Sequence, residues 1–189
     1  MLKYEARKIY REKREALTEP EKLKLDDLLL IQFQKAELPF LHTILSYRAI
    51  EENNEPDTNS VTSFLEFRNP SLHIAYPKVN ISAGTMHGVL VDHDTSFQKG
   101  AYNVPEPISN HMLPPHAFDL ILVPLLIFDK QGFRAGYGKG FYDKYLSNCR
   151  PDCIKAGLSY FDPIDEITDT DEFDVPLDLC ITPQTIYVF

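Results

Sequence analysis

The apolar run "LILVPLLIF", Leu120 to Phe128, leads directly into "DKQGFRAGYGKGFYDKYL". The run shows neither helical spacing nor two-residue alternation, so it reads as a strand buried on both faces. Such a strand needs covering layers above and below, which in a chain this size means helices on both sides of a sheet. The segment that follows holds four of the chain's eight glycines, together with Arg134, Lys139 and a closing Tyr-Asp pair. Sheets of this class place ligands where a loop leaves the carboxyl end of a strand.

The rest of the chain fits the same architecture. Two helices open it: one from about Lys3 to Leu17, and a second starting at "TEPE", where Thr18 and Glu21 suit a capping box and Pro20 is tolerated in the first turn. "HTILSYRA" reads as a buried strand, "EENNEPDT" as a polar loop, and Thr58 as the cap of a short helix ended by Asn69-Pro70. "SLHIAYP" and "TMHGVLVD" read as strands, and the Pro-rich "GAYNVPEPISNHMLPPHAF" as a long ordered loop. A helix from about Gly140 to Asn148 follows the glycines, and "CIKAGLSY", "LDLCITP" and "TIYVF" close the chain as strands. The pattern predicts one α/β domain over residues 1–189, a layered sandwich with a largely parallel central sheet flanked by helices.

Bulk properties narrow the partners. A net charge of −9 argues against a nucleic-acid ligand, which demands a basic surface. The apolar stretches are too short to span a membrane and the N-terminus has no apolar signal core, so the expected location is the cytoplasm. Charge is uneven: residues 1–15 carry Lys3, Arg7, Lys8, Arg11, Lys13 and Arg14, whereas residues 161–178 carry eight acids and no Lys or Arg. A small anionic ligand with a metal ion suits that asymmetry, although two solvated patches would produce it too. Cys149, Cys153 and Cys180 lack partners at zinc-ligand spacing and read as ordinary thiols, and "VDHDTS" around His93 as a solvated turn.

The glycine segment carries the chemistry. Unpaired N–H groups at a helix start attract phosphate, Gly136, Gly138 and Gly140 let backbone approach a ligand, and Arg134 and Lys139 add charge-assisted hydrogen bonds. A flexible surface turn would use the same glycines. Neither standard nucleotide motif fits: Gly132 to Gly138 encloses five residues where a Walker loop needs four, and Phe141 stands where the dinucleotide pattern needs glycine.

"VPLLIFDKQGFRAGYGKGFYDKYL" resembles the signature of the 5-formyltetrahydrofolate cyclo-ligases, also called 5,10-methenyltetrahydrofolate synthetases. Arg134, Gly136, Gly138, Gly140, Phe141, Tyr142 and Asp143 satisfy its Arg-x-Gly-x-Gly-x-Gly-aromatic-Tyr-Asp pattern without gaps. Lys3 and Arg7, Glu55 in "NNEPDT", and the segments "YPKV" and "VPEP" extend the likeness over most of the chain. The resemblance implies a fold similar to the sugar-phosphate isomerase and CoA-transferase group. It also implies ATP-dependent conversion of 5-formyltetrahydrofolate to 5,10-methenyltetrahydrofolate, with release of ADP and phosphate.

Carried over by position, the resemblance implies ATP contacts from Lys3, Tyr4, Glu5, Ala6 and Arg7 and from Arg134, Ala135, Gly136, Tyr137, Gly138, Lys139, Gly140, Phe141 and Tyr142. It implies catalytic roles for Arg134, Lys139 and Tyr142, and substrate contacts from Ile50, Glu55 and Tyr142. Asp143 and Asp174 match the magnesium-binding aspartates. Glu106 in "YNVPEP" suits a polar contact or a turn. Lys3 and Arg7 share one helix face, a spacing that solvated helices also use, and Asp143 would suit a first helical turn on its own. The chain departs from the family twice: Phe173 stands where a His usually precedes the second aspartate, and Phe161-Asp162 stands where an aromatic-Gln pair is common. These departures leave two alternatives beside the cyclo-ligase: a folate- or nucleotide-binding paralogue without turnover, and a same-fold isomerase or transferase acting on another phosphorylated substrate.

Overall fold

The computed structural model describes all of residues 1–189. In chain order its helices are α1 (Lys3–Glu15), α2 (Glu19–Phe33), α3 (Thr58–Arg68) and α4 (Phe141–Leu146). Its strands are β1 (Thr43–Leu45), β2 (His73–Asn80), β3 (Thr85–Val91), β4 (Phe97–Lys99), β5 (Pro105–Pro107), β6 (Met112–Leu113), β7 (Leu120–Val123), β8 (Ile127–Phe128), β9 (Arg134–Ala135), β10 (Ile154–Leu158), β11 (Leu179–Ile181) and β12 (Ile186–Val188). Eight of them form one sheet in the order β12-β11-β10-β7-β1-β2-β3-β6. Its centre, from β11 to β2, is parallel; β12 pairs antiparallel with β11 on one side, and on the other β3 pairs antiparallel with β2 and β6 antiparallel with β3.

Both faces of the central strands are buried, as the unbroken apolar runs require. Ile44, Leu120 and Leu122 pack on one side with Phe33, Val61 and Leu65 of α2 and α3. Leu45, Ile121 and Val123 pack on the other with Phe118 and with Tyr145 and Leu146, the last two at or beside the end of α4. Each large apolar side chain hidden this way contributes roughly 1.5–3 kcal/mol. The start of α2 is held as its sequence indicates: the Thr18 N–H donates to Glu21 Oε2 at 2.9 Å and the Thr18 hydroxyl to the same atom at 2.6 Å. No helix is long and apolar enough to cross a membrane.

Three local expectations are corrected. The run from Leu120 is not one strand. Pro124, which has no N–H for a ladder, ends β7, and the chain re-pairs as a separate hairpin with Ile127 opposite Ala135 and Phe128 opposite Arg134. Asp57, not Thr58, caps α3: its carboxylate accepts from the N–H groups of Asn59 and Ser60, while buried Thr58 donates its hydroxyl to the Tyr47 carbonyl. The Pro-rich stretch is partly a sheet element, since β5 pairs with β4 and β6 extends the main sheet beside β3.

The topology determines where a ligand can enter. From β1 the chain goes outward through α3 to β2, β3 and β6; from β7 it goes the other way through α4 to β10, β11 and β12. Neighbouring β1 and β7 therefore send their loops apart, which opens a crevice at their carboxyl ends.

Candidate active site

That crevice is a cleft of about 800 Å³. One wall is the segment Gly136–Lys144 after β7; the facing wall includes Tyr47, Arg48, Ile50 and Glu55 after β1. Helix α1 packs its Ala6 and Tyr10 against Leu126, Ile127 and Ala135 around the β8–β9 hairpin, which turns its cations toward the glycine segment. Arg7 Nε donates to the Gly136 carbonyl at 2.9 Å. Arg14, 2% exposed, donates to the Leu125 carbonyl and, at 3.0 Å, to the Tyr137 hydroxyl.

Arg134 is fixed in place. Its side chain is 5% exposed and Nη2 lies 2.8 Å from Asp143 Oδ1, while Nη1 donates to the Val175 carbonyl. The Val175 N–H returns to the same Asp143 oxygen at 3.1 Å. Lys139 behaves differently: it is exposed, makes no ion pair, and rests its ammonium 4.9 Å from the centre of the Tyr102 ring. One cation is therefore held by ionic and hydrogen-bond partners, whereas the other has only the aromatic ring beneath it.

Glu55 is 3% exposed. Its Oε2 accepts the Ile50 N–H at 2.7 Å and its Oε1 accepts the Tyr137 hydroxyl. Burial raises its pKa above the ordinary glutamate value, against the lowering effects of those two hydrogen bonds and of Arg14. Each oxygen keeps a lone pair for a further donor. Tyr142 lines the cleft with its hydroxyl buried and without a partner. Burial, and then the Glu55 charge, push its pKa far up, so it remains a neutral donor.

A family model described as the 5-formyltetrahydrofolate cyclo-ligase family matches residues 2–183. The chain belongs to that family. A 5-formyltetrahydrofolate cyclo-ligase of Mycoplasma pneumoniae is 31% identical over 183 residues, covering 94% of this chain and 96% of that protein. The NMR structure of the Aquifex aeolicus 5,10-methenyltetrahydrofolate synthetase superposes with a TM-score of 0.78 at 26% identity, over 100% of this chain and 93% of that one. A 5,10-methenyltetrahydrofolate synthetase structure from Mycoplasma pneumoniae gives a TM-score of 0.76 at 30% identity, over 97% and 99%.

Set against the residues that the cyclo-ligase signature selects, the cleft is a subset. Lys3, Arg7, Arg134, Gly136 through Asp143, Ile50, Glu55 and Asp174 line it. Tyr4, Glu5, Ala6 and Ala135 do not. Between Lys3 and Arg7 the helix turns away: Tyr4 points to solvent, Glu5 accepts the Leu2 N–H, and Ala6, like Ala135, is fully buried in the small core beneath. Glu106 also lies off the cleft and accepts the Val79 N–H at 2.9 Å, a structural role. The helix after the glycines is only six residues long. Sequence reasoning missed Arg11, Arg48, Tyr102 and Asp171, all cleft-lining. Helical spacing from Arg7 could have found Arg11; nothing local marks the others.

The acidic segment is largely engaged by the N-terminus. Lys3 Nζ lies 2.5 Å from Asp174 Oδ2, the Lys3 N–H donates to Asp169, and the Met1 ammonium to the Glu166 carbonyl. Asp174 Oδ2 also accepts the Asp171 N–H at 2.7 Å. Asp143 and Asp174 thus each commit one oxygen to the protein, and each retains a second oxygen with no protein donor. No group of three or more acids, His or Cys converges. That donor set fits magnesium, which takes one or two carboxylates and completes its shell with phosphate oxygens and water.

Proposed function

We propose that this cyclo-ligase converts 5-formyltetrahydrofolate to 5,10-methenyltetrahydrofolate with ATP going to ADP and phosphate, the whole chain acting as one domain in the cytoplasm. The observation that carries the reading is that one cleft is lined both by the glycine segment and by Glu55 and Ile50. A nucleotide's terminal phosphates and a folate can therefore meet inside it.

The formyl oxygen is a poor leaving group as it stands. Its attack on the γ-phosphorus forms a P–O bond as the bond to ADP breaks, giving an imidate phosphate. N10 then adds to the activated carbon, loses its proton, and phosphate departs with the oxygen. The protein's contribution is positioning and charge neutralisation. Arg7 and Arg134 hold the phosphates from fixed positions, and Lys139 follows the transferring group as a mobile point charge. Glu55 accepts the pterin's N–H donors, with Ile50 alongside. Tyr142 supplies a buried donor without another partner to the formyl oxygen. Asp143 and Asp174 would hold magnesium, which would supply charge neutralisation for the phosphates.

Purified protein with 5-formyltetrahydrofolate and Mg-ATP tests the reading. Methenyl absorbance should rise in step with ADP release; folate-independent ADP release, or none, defeats it.

A further inference from the structure

The loop residue Tyr137 sits between Gly136 and Gly138 but reaches across the cleft. Its hydroxyl accepts from Arg14 Nη1 at 3.0 Å and donates to Glu55 Oε1. The direction of this chain is forced. A guanidinium can only donate, so the phenol oxygen must accept from Arg14, and its single proton is left for the carboxylate. Three elements that are distant in sequence, α1, the glycine segment and the loop after β1, are joined through one oxygen atom.

We infer that Tyr137 is a positioning residue through which an occupied nucleotide loop orients Glu55 for folate, so that the two substrates bind cooperatively. This inference rests on the site reading above. The backbone on either side of Tyr137 is held by groups that face the phosphates: Arg7 donates to the Gly136 carbonyl, and Gly138 lies against the same guanidinium. Phosphates drawn to Arg7 and the loop fix the main chain that carries the phenol. The phenol in turn fixes a carboxylate that is 3% exposed and has the Ile50 N–H as its other hydrogen-bond donor. Linkage makes the effect reciprocal: folate must tighten nucleotide binding by the same factor.

The test is the dissociation constant of 5-formyltetrahydrofolate, measured by titration calorimetry with and without a magnesium-bound non-hydrolysable ATP analogue. In the wild-type protein the analogue should tighten folate about fivefold or more, a modest allosteric coupling. In Tyr137→Phe, which keeps the ring and removes the bridge, the ratio should fall to within about twofold of unity. Glu55→Gln has one acceptor oxygen for two donors, the Tyr137 hydroxyl and the Ile50 N–H, so it should bind folate more weakly in both conditions. A wild-type ratio of unity, or an undiminished ratio in Tyr137→Phe, overturns the inference while leaving the cyclo-ligase reading intact. Failure of the wild-type protein to bind folate in either condition overturns both.

Discussion

Arg134 and Asp143 lie 2.8 Å apart across the glycine segment, and the Val175 N–H shares the same Asp143 oxygen. The pair closes the loop on itself and leaves the other carboxylate oxygen for a cation. Asp143→Asn should therefore raise the magnesium concentration giving half-maximal rate by about tenfold, because an amide is a much weaker ligand for a hard ion. A magnesium titration of turnover at saturating ATP checks this; an unchanged midpoint removes Asp143 from the metal site.

Loss of either loop cation should slow the reaction by about two orders of magnitude or more, as removing a transition-state charge contact does. The two variants should differ in stability. Lys139 is exposed and free of ion pairs, so Lys139→Ala should melt within a degree or so of wild type, whereas Arg134→Ala leaves part-buried Asp143 unpaired and should melt clearly lower. Turnover near wild type in either protein contradicts the assigned roles.

Folate affinity should depend on the ionisation of Glu55. Arg14 of α1, Tyr47 after β1, Tyr137 of the loop and Tyr142 of α4 surround it. Its raised pKa means that the proton binds at a pH where an ordinary glutamate is still ionised. As pH falls, KM for folate should climb through a limb lying above the normal carboxylate range, because the protonated acid cannot accept two pterin N–H bonds. Glu55→Gln should raise KM at neutral pH and abolish the limb. A pH profile of KM in both proteins separates the cases.

The three loop glycines are not equivalent. Gly138 has φ +80° and a Cβ there would sit 3.2 Å from Arg7 Cζ, while Gly140 has φ +70° with open space around it. Gly140→Ala should lose only the backbone term, about 1–2 kcal/mol. Gly138→Ala adds displacement of Arg7 and should weaken ATP binding the more severely. Gly136, at negative φ with only the Pro124 carbonyl 3.6 Å away, should accept alanine with little effect on ATP binding. ATP titrations of the three variants rank them.

The sequence was informative wherever a property is carried by near neighbours. Thr18 and Glu21 cap α2 from three residues apart. Unbroken apolar runs declared buried parallel strands, because a strand covered on both faces has no polar positions to alternate. Arg134 through Asp143 matched a family signature in one continuous stretch. Smaller errors arose where two local signals compete: Asp57 and Thr58 are both good caps, and "LILVPLLIF" changes partners at a proline that hydrophobicity does not register.

By itself, then, the chain's order of residues determined the α/β class, the family and the glycine segment's place after a central strand. Tertiary structure decided which residues share a cleft. The placing of Tyr137 between Arg14 and Glu55, the engagement of Asp174 by Lys3, and the exclusion of Tyr4, Glu5, Ala6 and Ala135 all depend on how α1 packs against the β8–β9 hairpin. Those contacts join residues up to 171 positions apart. No local propensity encodes such distances; they come into being when the apolar faces of helix and hairpin leave water together.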